Sequence, residues 1–175
     1  DVSLNKGLAV DGDVIFKKNV LINSDLTMGK APNEVESSMV IGVNAGSSMF
    51  SVSALNDTAI GFDSLTTNVS GAYNTAVGSK TLTLATNNYN TALGYEALST
   101  VTSGMNNIGI GANSGSGIQE SSDNIFIGNN TGITGNESIS ATIVIGNGAK
   151  ATEANQTFME NNKMFLKVLG ASDIS

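Results

Sequence analysis

Seven times along this chain a short β-like run closes on an aliphatic residue followed by glycine: SMVIG, DTAIG, NTAVG, NTALG, NIGIG, NIFIG and TIVIG. The glycines are Gly42, Gly61, Gly78, Gly94, Gly111, Gly128 and Gly146, spaced 19, 17, 16, 17, 17 and 18 residues apart. A period that regular specifies a stack of coils, each touching only its neighbours, so an elongated solenoid is expected. The register runs past the glycine, because three residues later stand only small side chains: Ala45, Ser64, Thr81, Ala97, Ser114, Thr131 and Ala149.

Each strand is apolar or small on both faces. Immediately before the glycine stands Ile, Val or Leu, and three before it Met39, Thr58, Thr75, Thr91, Ile108, Ile125 or Ile143; these two share one face. They are the expected interior of the coil. The residue between them, Val40, Ala59, Ala76, Ala92, Gly109, Phe126 or Val144, points the other way. A strand lacking polar residues on either face is buried on both, so this second face is expected to pack against another chain. Turn signals at Ser70-Gly71, Asn87-Asn88, Ser103-Gly104 and Ser122-Asp123 close the coils.

Nearly half of the residues are Asn, Gly, Ser or Thr, a composition that would specify disorder if the aliphatic residues were not periodic. Cysteine and histidine are absent and all eight basic residues are lysines. Disulfides, cysteine-ligated zinc, the commonest general base and the bidentate guanidinium fork for phosphate are therefore excluded. A net charge of -7 repels a phosphate backbone, which excludes nucleic acid as a natural partner. No apolar run approaches the roughly 20 residues of a membrane span, and no signal peptide or initiator methionine opens the chain, as expected of a segment of a longer protein.

Three regions are distinguished. Residues 1–30 follow a shorter period of six, DVSLNK, GLAVDG, DVIFKK, NVLINS and DLTMGK, with alternating apolar pairs such as Leu8/Val10 and Val20/Ile22. Five hexads are too few for a single-chain three-sided helix but make five layers of a shaft if three chains interwind. Residues 31–37, which hold Pro32, interrupt both periods and form the junction. Residues 38–150 are the seven-coil head, and residues 151–175 are a cap and linker in which Lys163 to Gly170 reads as a strand or hairpin arm.

The runs NTAVGSKTL, NTALGYEAL and NIFIGNNTG resemble the head repeats of YadA-like trimeric adhesins, which also recur in bacteriophage tail fibres. The resemblance covers residues 38–150. It implies an all-β fold: a left-handed parallel β-roll in each chain, three chains in a parallel homotrimer, preceded here by an interwound triple β-helix shaft. It also implies attachment to a host surface glycan or protein receptor. Coils of mostly 16 to 18 residues are longer than those of bacterial heads, and the hexad shaft is more like a phage fibre, so the expected location is the virion surface. A bacterial cell-surface adhesin and a glycan-degrading tailspike are the alternatives. Near the C-terminus, Ala-Ser-Asp resembles the junction of fibres with an endosialidase-type intramolecular chaperone, which implies cleavage before Ser172, with Asp173 as the second matching residue.

Candidate chemistry is sparse. Asp63, Lys80 and Glu96 follow their glycines by two residues, putting two carboxylates roughly 10 Å apart on stacked coils. The lysine between them, and Asn44, Asn113 and Asn130 at the same slot elsewhere, make this a surface ladder, and no catalytic residue is assigned. The glycine-rich run Gly109 to Gly115 is one coil among seven, and Asp11-Gly12-Asp13 is a hexad turn without the later ligands of a calcium loop, so no metal or cofactor is expected. Thr58, Thr75 and Thr91 form a short threonine ladder that turns to isoleucine, which argues against ice binding. Asn56, Asn68, Asn129, Asn136 and Asn155 begin Asn-x-Ser/Thr triplets at the frequency that composition alone supplies. Receptor contact falls to aromatic residues at variable slots, Phe62, Tyr73, Tyr89 and Tyr95. The two longest spacings, through Ser47 to Asn56 and Gly132 to Ala141, are candidate surface loops.

Overall fold

The computed structural model of the chain describes residues 38–49, 56–135 and 139–159. The hexads, the junction, the run Lys163 to Gly170, and Ser172 and Asp173 lie outside the described residues.

Each repeat contributes one three-residue strand: β1 (Met39–Ile41), β2 (Thr58–Ile60), β3 (Thr75–Val77), β4 (Thr91–Leu93), β5 (Ile108–Ile110) and β6 (Ile125–Ile127). Then come β7 (Gly132–Ile133), β8 (Ile143–Ile145), β9 (Lys150–Ala151) and β10 (Thr157–Met159). Eight of these form one parallel sheet in the order β1-β2-β3-β4-β5-β6-β8-β10, while β7 and β9 pair separately. Register follows the repeat: Thr58 pairs with Thr75, Thr75 with Thr91, and Ile108 with Ile125. The described residues are all-β, and the chain winds as a β-solenoid with one turn per repeat. The sheet continues beyond residue 150, because β10 pairs with β8.

The repeating glycines are required by the stacking itself. Their φ angles lie between 123° and 135°, a region closed to L side chains. A Cβ on Gly94 would also stand 2.6 Å from the carbonyl oxygen of Gly111, and one on Gly128 2.7 Å from that of Gly146. Two further turn positions are left-handed wherever they are described. Asn44, Asp63, Lys80, Glu96, Asn113 and Asn130 have φ of 53° to 58°, and Asn56, Tyr73, Tyr89, Asn106, Asp123 and Ala141 have 56° to 62°. Asn and Asp tolerate that conformation best, which is one reason the chain is so rich in them.

The two faces of the strand are the reverse of the sequence expectation. The middle residues Ala59, Ala76, Ala92, Phe126 and Val144 are fully buried inside the coil. The residues before the glycine face outward, with Ile41 44%, Leu93 48%, Ile110 38% and Ile127 38% exposed. Steric room decides the assignment. The interior is already occupied by Leu65, Leu82 and Leu98 from the turns and by Ala85, Val101 and Ile118 beyond them, all fully buried. Little space then remains for the strand: a Cβ on Gly109 would lie 2.6 Å from Leu98 Cγ. The small residues three past each glycine are all buried. Three of their hydroxyls turn back on the glycine carbonyl, Ser64 Oγ to Gly61 O at 3.2 Å, Thr81 Oγ1 to Gly78 O at 3.0 Å and Thr131 Oγ1 to Gly128 O at 3.1 Å.

Candidate functional site

A column of polar side chains runs through the buried side of the solenoid. Asp57, Asn74, Asn90, Asn107, Asn124 and Thr142 precede their strands by one residue, and all are at most 1% exposed. The side-chain oxygen of each of the first five accepts the backbone N–H of the next residue in the column, one coil on: Asn74 N to Asp57 Oδ1 at 2.6 Å, Asn90 N to Asn74 Oδ1 at 2.9 Å, Asn107 N to Asn90 Oδ1 at 3.1 Å. Asn124 N to Asn107 Oδ1 at 3.2 Å and Thr142 N to Asn124 Oδ1 at 3.0 Å continue the series. The amide groups also bond one another, Asn107 Nδ2 to Asn90 Oδ1 at 3.1 Å and Asn124 Nδ2 to Asn107 Oδ1 at 3.0 Å. These bonds satisfy backbone groups that the short strands leave behind, which is why asparagine can be buried here. Sequence reasoning missed this column, although NTAVG, NTALG, NIGIG and NIFIG each begin with the asparagine concerned.

Asp57 departs from the pattern as a buried carboxylate. Burial pushes its pKa up to about 6 against the downward pull of hydrogen bonds from Asn74 and Asn68. Asn68 is itself fully buried and donates Nδ2 to Asp57 Oδ2 at 2.8 Å, so the triplet that begins there is closed to glycosylation.

The stacked carboxylates are engaged with their neighbours. Asp63 Oδ1 accepts Asn44 Nδ2 at 3.0 Å, and Lys80 Nζ stands 3.7 Å from Glu96 Oε1. An exposed pair of this kind is worth only about 0–1 kcal/mol, so the ladder decorates the surface more than it holds it. Nothing converges on a reacting centre there.

Of the four aromatic candidates, the structure brings two together. Tyr73 and Tyr89, five residues before Gly78 and Gly94, stack with centroids 5.2 Å apart and planes at 7°. Each is 54% exposed, and mutual stacking occupies one face of each ring. Their common offset from the glycine was the signal for this pair. Phe62 and Tyr95 occupy the slot just after the glycine, two coils apart, and are also half exposed. Tyr95 donates its hydroxyl to Glu96 Oε1 at 2.7 Å, and that bond raises its phenol above the ordinary value. The two pairs are not brought into one cluster.

On the outer face the aliphatic residues before the glycines form a continuous stripe, Ile60, Val77, Leu93, Ile110, Ile127 and Ile145, in register from rung to rung. Beside it run Thr58, Thr75 and Thr91, then Ile108, Ile125 and Ile143. The threonine ladder is thus half-buried beside an apolar stripe rather than a flat polar plane. The run Gly109 to Gly115 passes from strand to turn with no helix after it, so it lacks the context of a phosphate loop.

Among the described residues no group of three or more Asp or Glu side chains could hold a metal ion, and no helix is long and apolar enough to cross a membrane. Comparison with models of protein families, with curated proteins and with solved structures finds no match to this chain.

Proposed function

We propose that this chain is a structural and adhesive segment of a trimeric fibre, of the kind by which viral tail fibres attach to a host surface. The observation that carries the proposal is the outward aliphatic stripe along one side of the solenoid, exposed at Leu93, Ile110 and Ile127 and half-buried at Ile60, Val77 and Ile145. Six stacked rungs at about 4.8 Å extend it over some 24 Å, longer than an isolated exposed apolar residue would require. A surface that repeats at the strand spacing is matched best by another surface with the same repeat. Two further copies of the chain, parallel and in register, supply that match and cover the stripe on all three protomers around one axis. The left-handed winding, the triple-stranded N-terminal shaft and the virion location belong to the same reading and rest on the resemblance of the repeats to YadA-like heads.

Attachment would fall to the outward turns, where Phe62, Tyr73, Tyr89 and Tyr95 are half exposed. The partner in this reading is a host glycan or surface protein. Binding of the assembled protein to a glycan array and to host cells tests it, with the quadruple replacement of these aromatics by serine expected to abolish retention. Equal retention of that variant overturns the assignment. Release of oligosaccharide products from host polysaccharide would contradict a non-enzymatic role.

A further inference from the structure

Further along the buried polar column, Asn90 and Asn107 donate to a backbone carbonyl as well as accept. Asn90 Nδ2 reaches Gly104 O at 3.0 Å and Asn107 Nδ2 reaches Ser121 O at 2.9 Å, in both cases the carbonyl fourteen residues on. The matching carbonyl for residue 57 is that of Gly71, and an ionised aspartate has no hydrogen to give it. Asn68 fills the gap. Its Nδ2 donates to Gly71 O at 2.9 Å and to Asp57 Oδ2 at 2.8 Å, while its Oδ1 accepts Gly71 N at 2.7 Å. In the following coils the slot of Asn68 is Ala85, Val101 and Ile118, all buried and apolar. An aspartate in the column and an asparagine in an apolar slot therefore occur together, in the same coil, as one unit.

That unit carries a negative charge with no counter-ion among the described residues. Asp57 meets Ser38, whose Oγ accepts its N–H at 3.1 Å, from the coil before, Asn74 from the coil after, and Asn68 with Gly71 across the interior. All are uncharged, and no lysine or second carboxylate among the described residues contributes to the Asp57 shift. We propose that Asp57 and Asn68 form an acid-sensitive rung: a solvent proton taken up by the buried Asp57 carboxylate tightens this coil, and its release loosens it. The direction follows from linkage. The folded pKa, about 6, stands above the ordinary 3.8, so the stabilisation is fully present below the unfolded value and is lost as pH rises through about 6.

The test is a carbon-13 NMR titration of the side-chain carboxyls of the full chain, assigned through the backbone, between about pH 7.5 and pH 4. Chemical denaturation of wild type and Asp57→Asn at about pH 5 and pH 7.5 accompanies it. The expected result is an Asp57 carboxyl titrating near 6, and a wild-type denaturation midpoint that gains on that of Asp57→Asn as the pH is lowered. If Asp57→Asn leaves Asn68 poorly seated, Asp57→Asn with Asn68→Val, which copies the arrangement at Asn90 and Val101, serves as the pH-insensitive reference. An Asp57 carboxyl titrating below about 4.5, or a midpoint difference that is the same at both pH values, overturns the proposal.

Discussion

In the coils that follow Gly61, Gly78 and Gly94 the interior is filled from the turns, whereas in the next stretch it is filled from the strand. Leu65, Leu82 and Leu98 reach inward with φ of 46° to 50°, and the strands beside them give only Ala59, Ala76 and Ala92. A leucine in that conformation costs about 1–2 kcal/mol, which burial of its side chain, worth about 1.5–3 kcal/mol, offsets. After Gly111 the turn residue is Gly115 and the strand residue Gly109; Leu98 from the coil before closes on both, and Phe126 from the next strand closes on Gly115. The fit is close: a Cβ at Gly115 would stand 3.2 Å from Phe126 Cδ2. The interior stays filled along the stack, while the element that supplies the large side chain changes from the turn to the strand. The outer face changes at the same place, from Thr58, Thr75 and Thr91 to Ile108, Ile125 and Ile143.

The most severe way to break the comparison is Ala76→Asp. Ala76 is fully buried inside its coil, so the variant buries a charge with no partner. It is expected not to fold, seen as loss of the β signal in circular dichroism. Had this face been the one between chains, the same variant would give a folded monomer.

Phe126→Ala comes next. It removes the fully buried ring that packs over Gly115 and should cost about 3–5 kcal/mol by denaturant titration. A loss below about 1 kcal/mol would mean that the glycine coil closes on itself without the ring.

Smaller, and sharper, is Gly109→Ala. Overpacking against Leu98 should cost about 1–3 kcal/mol, and combining it with Leu98→Ala should cost clearly less than the sum of the two single changes. Additive losses would contradict the exchange of volume between turn and strand.

The repeat, its parallel stacking and the small residues at Ala45, Ser64 and Thr81 were legible because glycine and small side chains are demanded by backbone contact, which leaves a fixed spacing. The direction of the strand faces was not. Alternation says which residues share a face but not which face is inside, and here both faces are apolar. The size contrast between Ala59, Ala76 or Ala92 and Ile60, Val77 or Leu93 was the available clue, since a coil filled by turn leucines admits only the smaller set. The polar column escaped notice for a different reason: Asn74, Asn90 and Asn107 read as turn formers, and only stacking reveals that each bonds its successor. Asn68 had no signal of its own beyond standing where Ala85, Val101 and Ile118 are apolar.

The central claim is that the solenoid turns its aliphatic stripe outward to meet further copies of itself. Light scattering coupled to size exclusion, on wild type and on Ile110→Asp with Ile127→Asp, tests it most directly. The account predicts three chain masses for wild type and one for the variant, with the β signal of the variant retained, because these residues are 38% exposed on the single chain. A wild type that is folded at one chain mass, or a variant that stays trimeric, would contradict it.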